Sequence, residues 1–284
     1  SIVHNTDRPP EMDIEKFTID ERVNEHTILP HGSYSPFMVM RNYEQEDLKA
    51  LPIQVGRGCP YRCAFCVGNR KRYGMRSAES VIAEIKEKQN RYGCDCFHLQ
   101  DPFLLKRPRF VHDFCKLIAD EGLDIRFYVE TRADVDLGLI ELLHQAGCIS
   151  LDFGLESASA KVLRSIKKGI TCAQAEDLIR KCSDLDMKIK VFTMISLPDE
   201  TEKDAKETIA FLKEHREHIQ TFSGGVTKIY PGTDLDRMGR ERGILPAGFS
   251  WYDRSYRNPL PEFVSDTVPI WLEHLSLGFI RWCR

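Results

Sequence analysis

The residues best suited to chemistry in this sequence are three closely spaced cysteines, Cys59, Cys63 and Cys66, in a C-x3-C-x2-C arrangement. These short gaps place three soft thiolates on one loop, where they can face a single metal centre. Iron–sulfur clusters usually take four cysteines, and no fourth cysteine lies at ligand spacing beside these. Three protein ligands leave one coordination position open, which is typical of metal sites that do chemistry.

A structural metal site is the main alternative for the same residues. Structural zinc sites are closed by a fourth Cys or His, usually in a second knuckle, and no such knuckle follows. A non-catalytic zinc or iron–sulfur binding module would therefore need a further ligand from another chain. The spacing favours an open cluster site, and the module is kept as an alternative.

The composition limits the kinds of partner that are expected. The formal net charge of the 284-residue chain is -3, so no global field attracts nucleic acid. No apolar run approaches the roughly 18 residues that a membrane span needs. The ten cysteines are spread along the chain without a secretory signal, which favours a reducing cytosol over disulfides. We expect a cytoplasmic protein that binds neither membranes nor nucleic acid.

The elements that would position the cysteines are short β-rich runs alternating with amphipathic helical patterns. Strands are predicted at 52–56, 94–100, 125–131, 149–154, 190–197 and 220–230, and helices at 78–91, 109–121, 137–145, 159–167, 172–186 and 202–217. Six strands alternating with helices predict parallel pairing through βαβ crossovers, as in a doubly wound sheet or a partial barrel. In both folds ligands bind beyond the carboxyl ends of the strands, where the cysteine loop follows the first strand.

The chain is predicted to have three parts. Residues 1–50 are polar and punctuated by prolines, which is typical of an arm or linker. Residues 51–233 carry the alternating pattern of a core, and residues 234–284 form a C-terminal extension. Because the sequence starts with Ser1 and stops at Arg284, we expect a fragment of a longer protein.

Residues 58–66, which read G-C-P-Y-R-C-A-F-C, resemble the signature of the radical SAM superfamily. In that family three cysteines hold a 4Fe-4S cluster, and S-adenosylmethionine chelates its fourth iron. The resemblance implies that Cys59, Cys63 and Cys66 are the cluster ligands and that Phe65 belongs to the cofactor site. It also implies an α/β fold, a partial (β/α)6 radical SAM barrel with an N-terminal arm and a short C-terminal extension.

Further elements resemble the motifs with which this family contacts S-adenosylmethionine. They are Glu156 and Ser157 in G-L-E-S, Arg132 in T-R-A-D, and Asp101, the acid nearest to the family's Gly-Gly-Glu turn. The resemblance implies that all four bind the cofactor. Each element also has a plainer interpretation. The G-L-E-S element could cap the next helix, Arg132 could form a surface ion pair, and Asp101 could belong to an Asp-Pro turn.

Other positions depart from the family pattern or have a structural interpretation. Ser196 and Asp199 replace the two glycines of the family's G-x-P-G-E-T element, so close approach of the backbone to adenosine is less assured. The basic run at 70–76 is interpreted as a loop near an anionic cluster. Lys168 is interpreted as a favourable charge at a helix C-terminus.

The order of these motifs is most similar to that of the cobalamin-binding radical SAM subgroup. The implied activity is reductive cleavage of S-adenosylmethionine to a 5′-deoxyadenosyl radical, followed by hydrogen abstraction from a small-molecule or natural-product substrate. Methyl transfer is the leading outcome, and radical rearrangement or ring closure is the nearer alternative. No D-x-H-x2-G cobalamin motif occurs in the sequence, so cobalamin would require a preceding domain.

The implied electron donor is a reductase such as flavodoxin or ferredoxin. A third hypothesis is an RNA-modifying methylthiotransferase. Relatives of that kind carry a further cysteine-bearing N-terminal domain and a C-terminal RNA-binding domain, and neither is found in this sequence. The slightly acidic charge also argues against RNA as the substrate.

Overall fold

The computed structural model describes residues 38–40, 48–68, 71–252, 260–263 and 267–270. Its nine strands are β1 (Met38–Met40), β2 (Leu48–Gln54), β3 (Gly56–Cys59), β4 (Lys71–Met75), β5 (Cys96–Gln100), β6 (Arg126–Thr131), β7 (Cys148–Glu156), β8 (Lys188–Ile195) and β9 (Thr221–Val226). Its helices are α1 (Ala78–Tyr92), α2 (Pro108–Asp120), α3 (Leu137–Gln145), α4 (Ala160–Ser165), α5 (Cys172–Asp184), α6 (Glu202–Glu214) and α7 (Asp234–Glu241), with a short 3-10 helix at Leu104–Lys106.

The main sheet has seven strands in the order β1-β2-β5-β6-β7-β8-β9. All pairs from β2 to β9 are parallel, and only β1 pairs antiparallel with its neighbour. Helices connect the successive parallel strands, so six βα-type units wind in one direction. Within the described residues the sheet stays open between β1 and β9, and the predicted partial (β/α)6 barrel is confirmed.

The two faces of the sheet differ in character. Phe97, Leu151 and Val191 are fully buried in one apolar core, together with helix residues such as Ile85 and Phe114. Burial of each such side chain contributes about 1.5–3 kcal/mol relative to exposure. The opposite face carries polar side chains on the same strands, because successive residues of a strand point to opposite sides. The helices therefore cover the apolar face, and the polar face is left for a ligand.

The helix termini follow the sequence signals closely. Ser77 caps α1 by accepting a hydrogen bond from the Ser80 backbone N–H, and Gly93 ends it in the left-handed conformation. Helix α3 has the predicted bounds, whereas α4 and α6 end two and three residues earlier than predicted, at Ser165 and Glu214. No helix in the described ranges is both long enough and apolar enough to span a membrane.

Several elements were not predicted, among them strands β1, β3 and β4 and helix α7. The basic run was expected to be a loop, but Lys71–Met75 is strand β4, which pairs antiparallel with β3 in a separate two-stranded sheet. Helix α7 lies in the segment assigned to a C-terminal extension. Strands β3 and β4 were missed because they contain glycines and charged residues with weak β propensity. Helix α7 was missed because it is short and mostly charged. The arm predicted for residues 1–50 lies mostly outside the described residues; Leu48–Ala50 already belong to β2.

Candidate active site

A cavity of about 590 Å³ lies at the carboxyl ends of the parallel strands, under the β3–β4 hairpin. Its walls come from the cysteine loop and from the ends of β6, β7 and β8. A second hollow of about 660 Å³, between α2 and α3, lies at the amino ends of β6 and β7. The two cavities have similar volumes, so volume does not indicate which one binds a ligand. Position does, because ligands of parallel α/β folds bind at the carboxyl ends of the strands.

The three cysteines of the motif all line this cavity. Cys59 ends strand β3, and Cys63 and Cys66 follow on the loop. All three are free thiols, with Cys63 buried and the other two partly exposed. Gly58 adopts a φ of 80°, a left-handed conformation that lets the hairpin turn into the loop without steric strain.

The electrostatic surroundings of the cysteines include two buried cations. Burial raises the pKa of the Cys63 thiol, while Lys168 and Arg132 oppose that rise. Burial also raises the pKa of the Cys59 thiol. The Cys66 sulfur accepts a hydrogen bond from the Gly68 backbone N–H at 3.3 Å. Positive charge beside Cys63 stabilises a thiolate and the net negative charge of a cluster built on thiolates.

No group of three or more His, Cys, Asp or Glu side chains in the described ranges surrounds a point where one metal ion could bind. The three sulfurs border a shared volume instead. Each cysteine of a 4Fe-4S cluster binds a different iron, so its ligands need not converge on one point as zinc ligands do. The cysteine loop therefore fits a cluster better than a single ion.

Arg132 is buried at the end of β6 and was expected either to bind a carboxylate or to pair at the surface. Its guanidinium stacks on the Tyr61 ring, 3.6 Å from the centroid, and its Nε donates to Asp134 at 2.7 Å. Its Nη1 lies 3.7 Å from the Cys63 sulfur. Burial tends to raise the pKa of Asp134, but Lys106, Arg132 and Tyr61 together hold it below its ordinary value. Arg132 thus anchors the cysteine loop to β6.

Glu156 is directed into the cavity by an irregularity in the sheet. The register of β7 against β8 shifts between Gly154 and Glu156, and Glu156 has a φ of 63°. A bulge of this kind re-aims a side chain, and a non-glycine residue in this region is uncommon. A Cβ on Gly154 would lie 2.6 Å from the Lys168 Nζ and would also clash with the Glu156 carboxylate. The backbone therefore approaches the cavity closely at Gly154.

Lys168 has a position in the cavity that the sequence analysis did not predict. It was interpreted as a charge at a helix C-terminus, but its side chain is buried and its Nζ lies 2.8 Å from the Glu156 Oε1. The same Nζ lies 5.7 Å from the centroid of the Phe65 ring. The sequence signal, a lysine before Gly169, describes a helix end equally well. Phe65 itself lines the cavity.

Asp101 and Ser157 do not belong to the cavity wall. Asp101 accepts hydrogen bonds from the Tyr73 hydroxyl at 2.5 Å and the Phe103 N–H at 2.8 Å, and burial raises its pKa to about 6. The Ser157 hydroxyl lies 3.2 Å from the Thr208 hydroxyl of α6 and accepts from the Ser159 N–H. Asp101 thus ties β5 to the β3–β4 hairpin, and Ser157 ties β7 to α6.

The loop after β8 has two non-glycine residues in the left-handed backbone conformation that glycine usually adopts. Ser196 and Asp199 have φ values of 64° and 62°, at the two positions where the family pattern has glycine. Their side chains add atoms where relatives have none, but the left-handed turns are retained. The loop therefore has the left-handed conformation that favours glycine at both positions, with the Ser196 side chain buried.

Fold and site together define a partial α/β barrel with a cysteine loop over the carboxyl ends of its strands. The family model described as Radical SAM superfamily matches residues 53–212, more than half of the chain. The chain belongs to the radical SAM superfamily.

Individual relatives agree with this assignment. An uncharacterized methyltransferase of Pyrococcus horikoshii is 31% identical over 259 residues, which cover 88% of this chain and 55% of the relative. An anaerobic magnesium-protoporphyrin IX monomethyl ester cyclase of Cereibacter sphaeroides is 29% identical over 179 residues, 59% of this chain and 29% of the relative. The chain thus spans about half of the first relative and less of the second.

Among solved structures, the fold is similar to that of the radical S-adenosylmethionine methyltransferase TsrM from Kitasatospora setae. The TM-score is 0.60 with 23% identity, over 69% of this chain and 40% of that one. That structure contains cobalamin and a 4Fe-4S cluster. At this level of identity the similarity concerns the fold alone.

Proposed function

We propose that the chain is the core of a radical SAM enzyme in which Cys59, Cys63 and Cys66 bind a 4Fe-4S cluster. The observation that carries the proposal is that all three thiols line one cavity at the carboxyl ends of the strands, next to two buried cations. When bound, the reduced cluster supplies the electron that cleaves S-adenosylmethionine and so provides a radical for hydrogen abstraction. Membership of the superfamily favours this function over a structural zinc module.

The cavity residues divide the binding of S-adenosylmethionine among them. Lys168 and Arg132 place positive charge beside Cys63, and this charge would favour binding of the carboxylate of the methionine moiety. Glu156 provides an acceptor for an amine or for sugar hydroxyls. Gly154 lets a ligand lie against the backbone of β7. Phe65 and Phe192 provide apolar walls that exclude water from the reacting atoms.

We propose methyl transfer to a small-molecule substrate as the reaction, with cobalamin supplied by a domain outside this sequence. Relatives named as methyltransferases support this choice, and the cyclase relative supports ring closure as the second candidate. A small flavoprotein or ferredoxin is the proposed electron donor. The nine cysteines in the described ranges are free, which is consistent with the proposed cytoplasmic location.

The test is anaerobic reconstitution with iron and sulfide, followed by reduction and an assay for 5′-deoxyadenosine. We expect about four irons per chain and product formation, and loss of both in Cys59→Ser, Cys63→Ser and Cys66→Ser. Cys172→Ser is the matched control, because the Cys172 Sγ donates to the Ala158 carbonyl at 2.8 Å outside the cavity and a hydroxyl can replace it. Stoichiometric zinc without a cluster would contradict the proposal.

A further inference from the structure

Arg132 has a hydrogen-bond partner on each nitrogen of its guanidinium group. The Nε donates to the Asp134 Oδ1 at 2.7 Å, the Nη1 donates to the Cys63 sulfur at 3.7 Å, and the Nη2 donates to the Lys168 carbonyl. The side chain is 6% exposed, so these bonds form away from bulk water. A planar guanidinium held on three sides has little freedom to turn, because its donors lie in a rigid fork. The Nη1 is therefore fixed against the sulfur of one proposed cluster ligand.

The cysteine loop itself helps to hold this guanidinium. Tyr61 lies between Cys59 and Cys63 in the loop, and the centroid of its ring lies 3.6 Å from the guanidinium carbon. The Tyr61 hydroxyl donates to the Asp134 Oδ2 at 2.9 Å, so one residue contacts both the guanidinium and its carboxylate partner. The Phe103 ring packs edge-on against the Tyr61 ring, with 5.8 Å between the centroids. The cysteine loop and the end of β6 therefore fix each other's position.

The positive charge beside Cys63 is not cancelled by Asp134. The Asp134 Oδ2 also lies 2.9 Å from the Lys106 Nζ, so one carboxylate is shared between two cations. Two positive charges and one negative charge leave this group of three side chains positive. Charges interact more strongly in a buried site than in water, because the effective dielectric constant is lower. A net positive charge therefore acts on any group that Cys63 binds.

We infer that Arg132 is a positioning residue that holds the Cys63 sulfur in place and raises the reduction potential of the cluster proposed to bind there. The potentials of iron–sulfur clusters depend on net charge, on hydrogen bonds to the sulfurs and on solvent exposure. Reduction adds one negative charge, so a fixed cation that donates to a ligand sulfur stabilises the reduced state more than the oxidised state. The inference rests on the proposed function, because it concerns the same cluster.

The midpoint potential tests this role without an assay of activity. The full chain is reconstituted anaerobically, titrated with dithionite in the presence of redox mediators, and followed by electron paramagnetic resonance of the reduced cluster. Arg132→Gln should make the midpoint more negative. At the wild-type midpoint, the ratio of reduced to oxidised cluster should fall about tenfold, which is a shift of about 59 mV for one electron. The iron content should stay at about four per chain, which separates a change in potential from partial loss of the cluster.

Two further variants separate the directed hydrogen bond from charge alone and from general effects of substitution. Arg132→Lys keeps the positive charge, but one ammonium group cannot reproduce three directed bonds, so the ratio should fall about threefold. Arg126→Gln is the matched control, because Arg126 begins the same strand, is 41% exposed and pairs with Asp95 at 3.0 Å. Its midpoint should equal that of the wild type.

The outcomes distinguish this inference from the proposed function. An unchanged or more positive midpoint in Arg132→Gln, or an equal shift in Arg126→Gln, would overturn the inference and leave the proposed function standing. If Arg132→Gln fails to fold or to hold the cluster, Arg132→Lys decides, because it keeps the buried positive charge; an unchanged midpoint there would likewise overturn the inference alone. A wild-type chain that binds no cluster would overturn the proposed function and the inference with it.

Discussion

Lys168 and Glu156 form a buried ion pair beside the cysteine loop, with Nζ 2.8 Å from Oε1 and the two side chains 7% and 9% exposed. The two residues lie on either side of helix α4, so the pair ties the end of β7 to the segment that follows the helix. It also places a fixed positive charge near Cys63 and the Phe65 ring. The ion pair therefore contributes to the folding stability around the cavity and also supplies positive charge to the proposed cluster site.

Lys168→Met should destabilise the protein strongly. Removal of one partner of a buried pair leaves an uncompensated charge and costs about 3–5 kcal/mol. We expect a loss of unfolding free energy of about this size in urea titrations, together with weaker S-adenosylmethionine binding. Lys167→Met is the matched control, because Lys167 is half exposed and pairs with Asp234 at 2.6 Å. Equal destabilisation by the two variants would contradict the role given to the buried pair.

Gly154→Ala should impair ligand binding more than stability. The new Cβ would meet the ends of the Lys168 and Glu156 side chains, so the two must shift together; because the ion pair is kept, the loss of unfolding free energy should be smaller than in Lys168→Met. S-adenosylmethionine should bind about tenfold more weakly, because the methyl group occupies the cavity wall. Isothermal titration against Gly225→Ala provides the comparison, since nothing lies within 4 Å of a Cβ at Gly225. Unchanged affinity in Gly154→Ala would show that the ligand does not approach β7 there.

Ser196→Gly should stabilise the protein slightly. A left-handed backbone costs a non-glycine residue about 1–2 kcal/mol, while glycine costs about 0.5–1 kcal/mol in lost chain entropy. With φ at 64°, the balance favours glycine, so the melting temperature should rise by a few degrees. Ala83→Gly, at an exposed position of α1, should instead lose about 1 kcal/mol. A lower melting temperature in Ser196→Gly would mean that the serine side chain stabilises the turn.

Asp204 should make the α6 region sensitive to acid. Burial would raise its pKa, but hydrogen bonds from Ser159, Thr201 and Lys161 hold the pKa well below its ordinary value. A depressed pKa in the folded state stabilises the protein above about pH 4, and this contribution is lost as the pH falls further. Asp204→Asn should therefore cost about 2 kcal/mol at neutral pH and progressively less below about pH 4.

Urea titrations of Asp204→Asn at several pH values test this linkage. The wild-type and variant curves should converge as the carboxylate of Asp204 becomes protonated in the wild type. Asp184→Asn, at an exposed position near the end of α5, should differ from wild type by only a few tenths of a kcal/mol throughout. A constant difference across the whole range would rule out the ionised carboxylate as the source of the stability.

The spacing of Cys59, Cys63 and Cys66 and the alternation of strands with helices could be read directly from the sequence, because both are local patterns. Ligands a few residues apart share one loop in almost any fold, and hydrophobic periodicity needs only a window of neighbouring residues. These two signals were enough to predict a parallel α/β sheet and the end of the sheet where the cavity lies, whereas the partial barrel and the superfamily followed from the resemblance of residues 58–66 to a known signature.

The tertiary structure alone decided which other side chains reach the cavity. Lys168 faces Glu156 because a bulge and a left-handed residue re-aim the end of β7, which no local pattern indicated. Glu130, Asp152 and Lys190 likewise meet across β6, β7 and β8 only because of the register of these strand pairs. A shift of one residue in any strand would turn its side chain to the opposite face, so only the folded sheet determines what meets there.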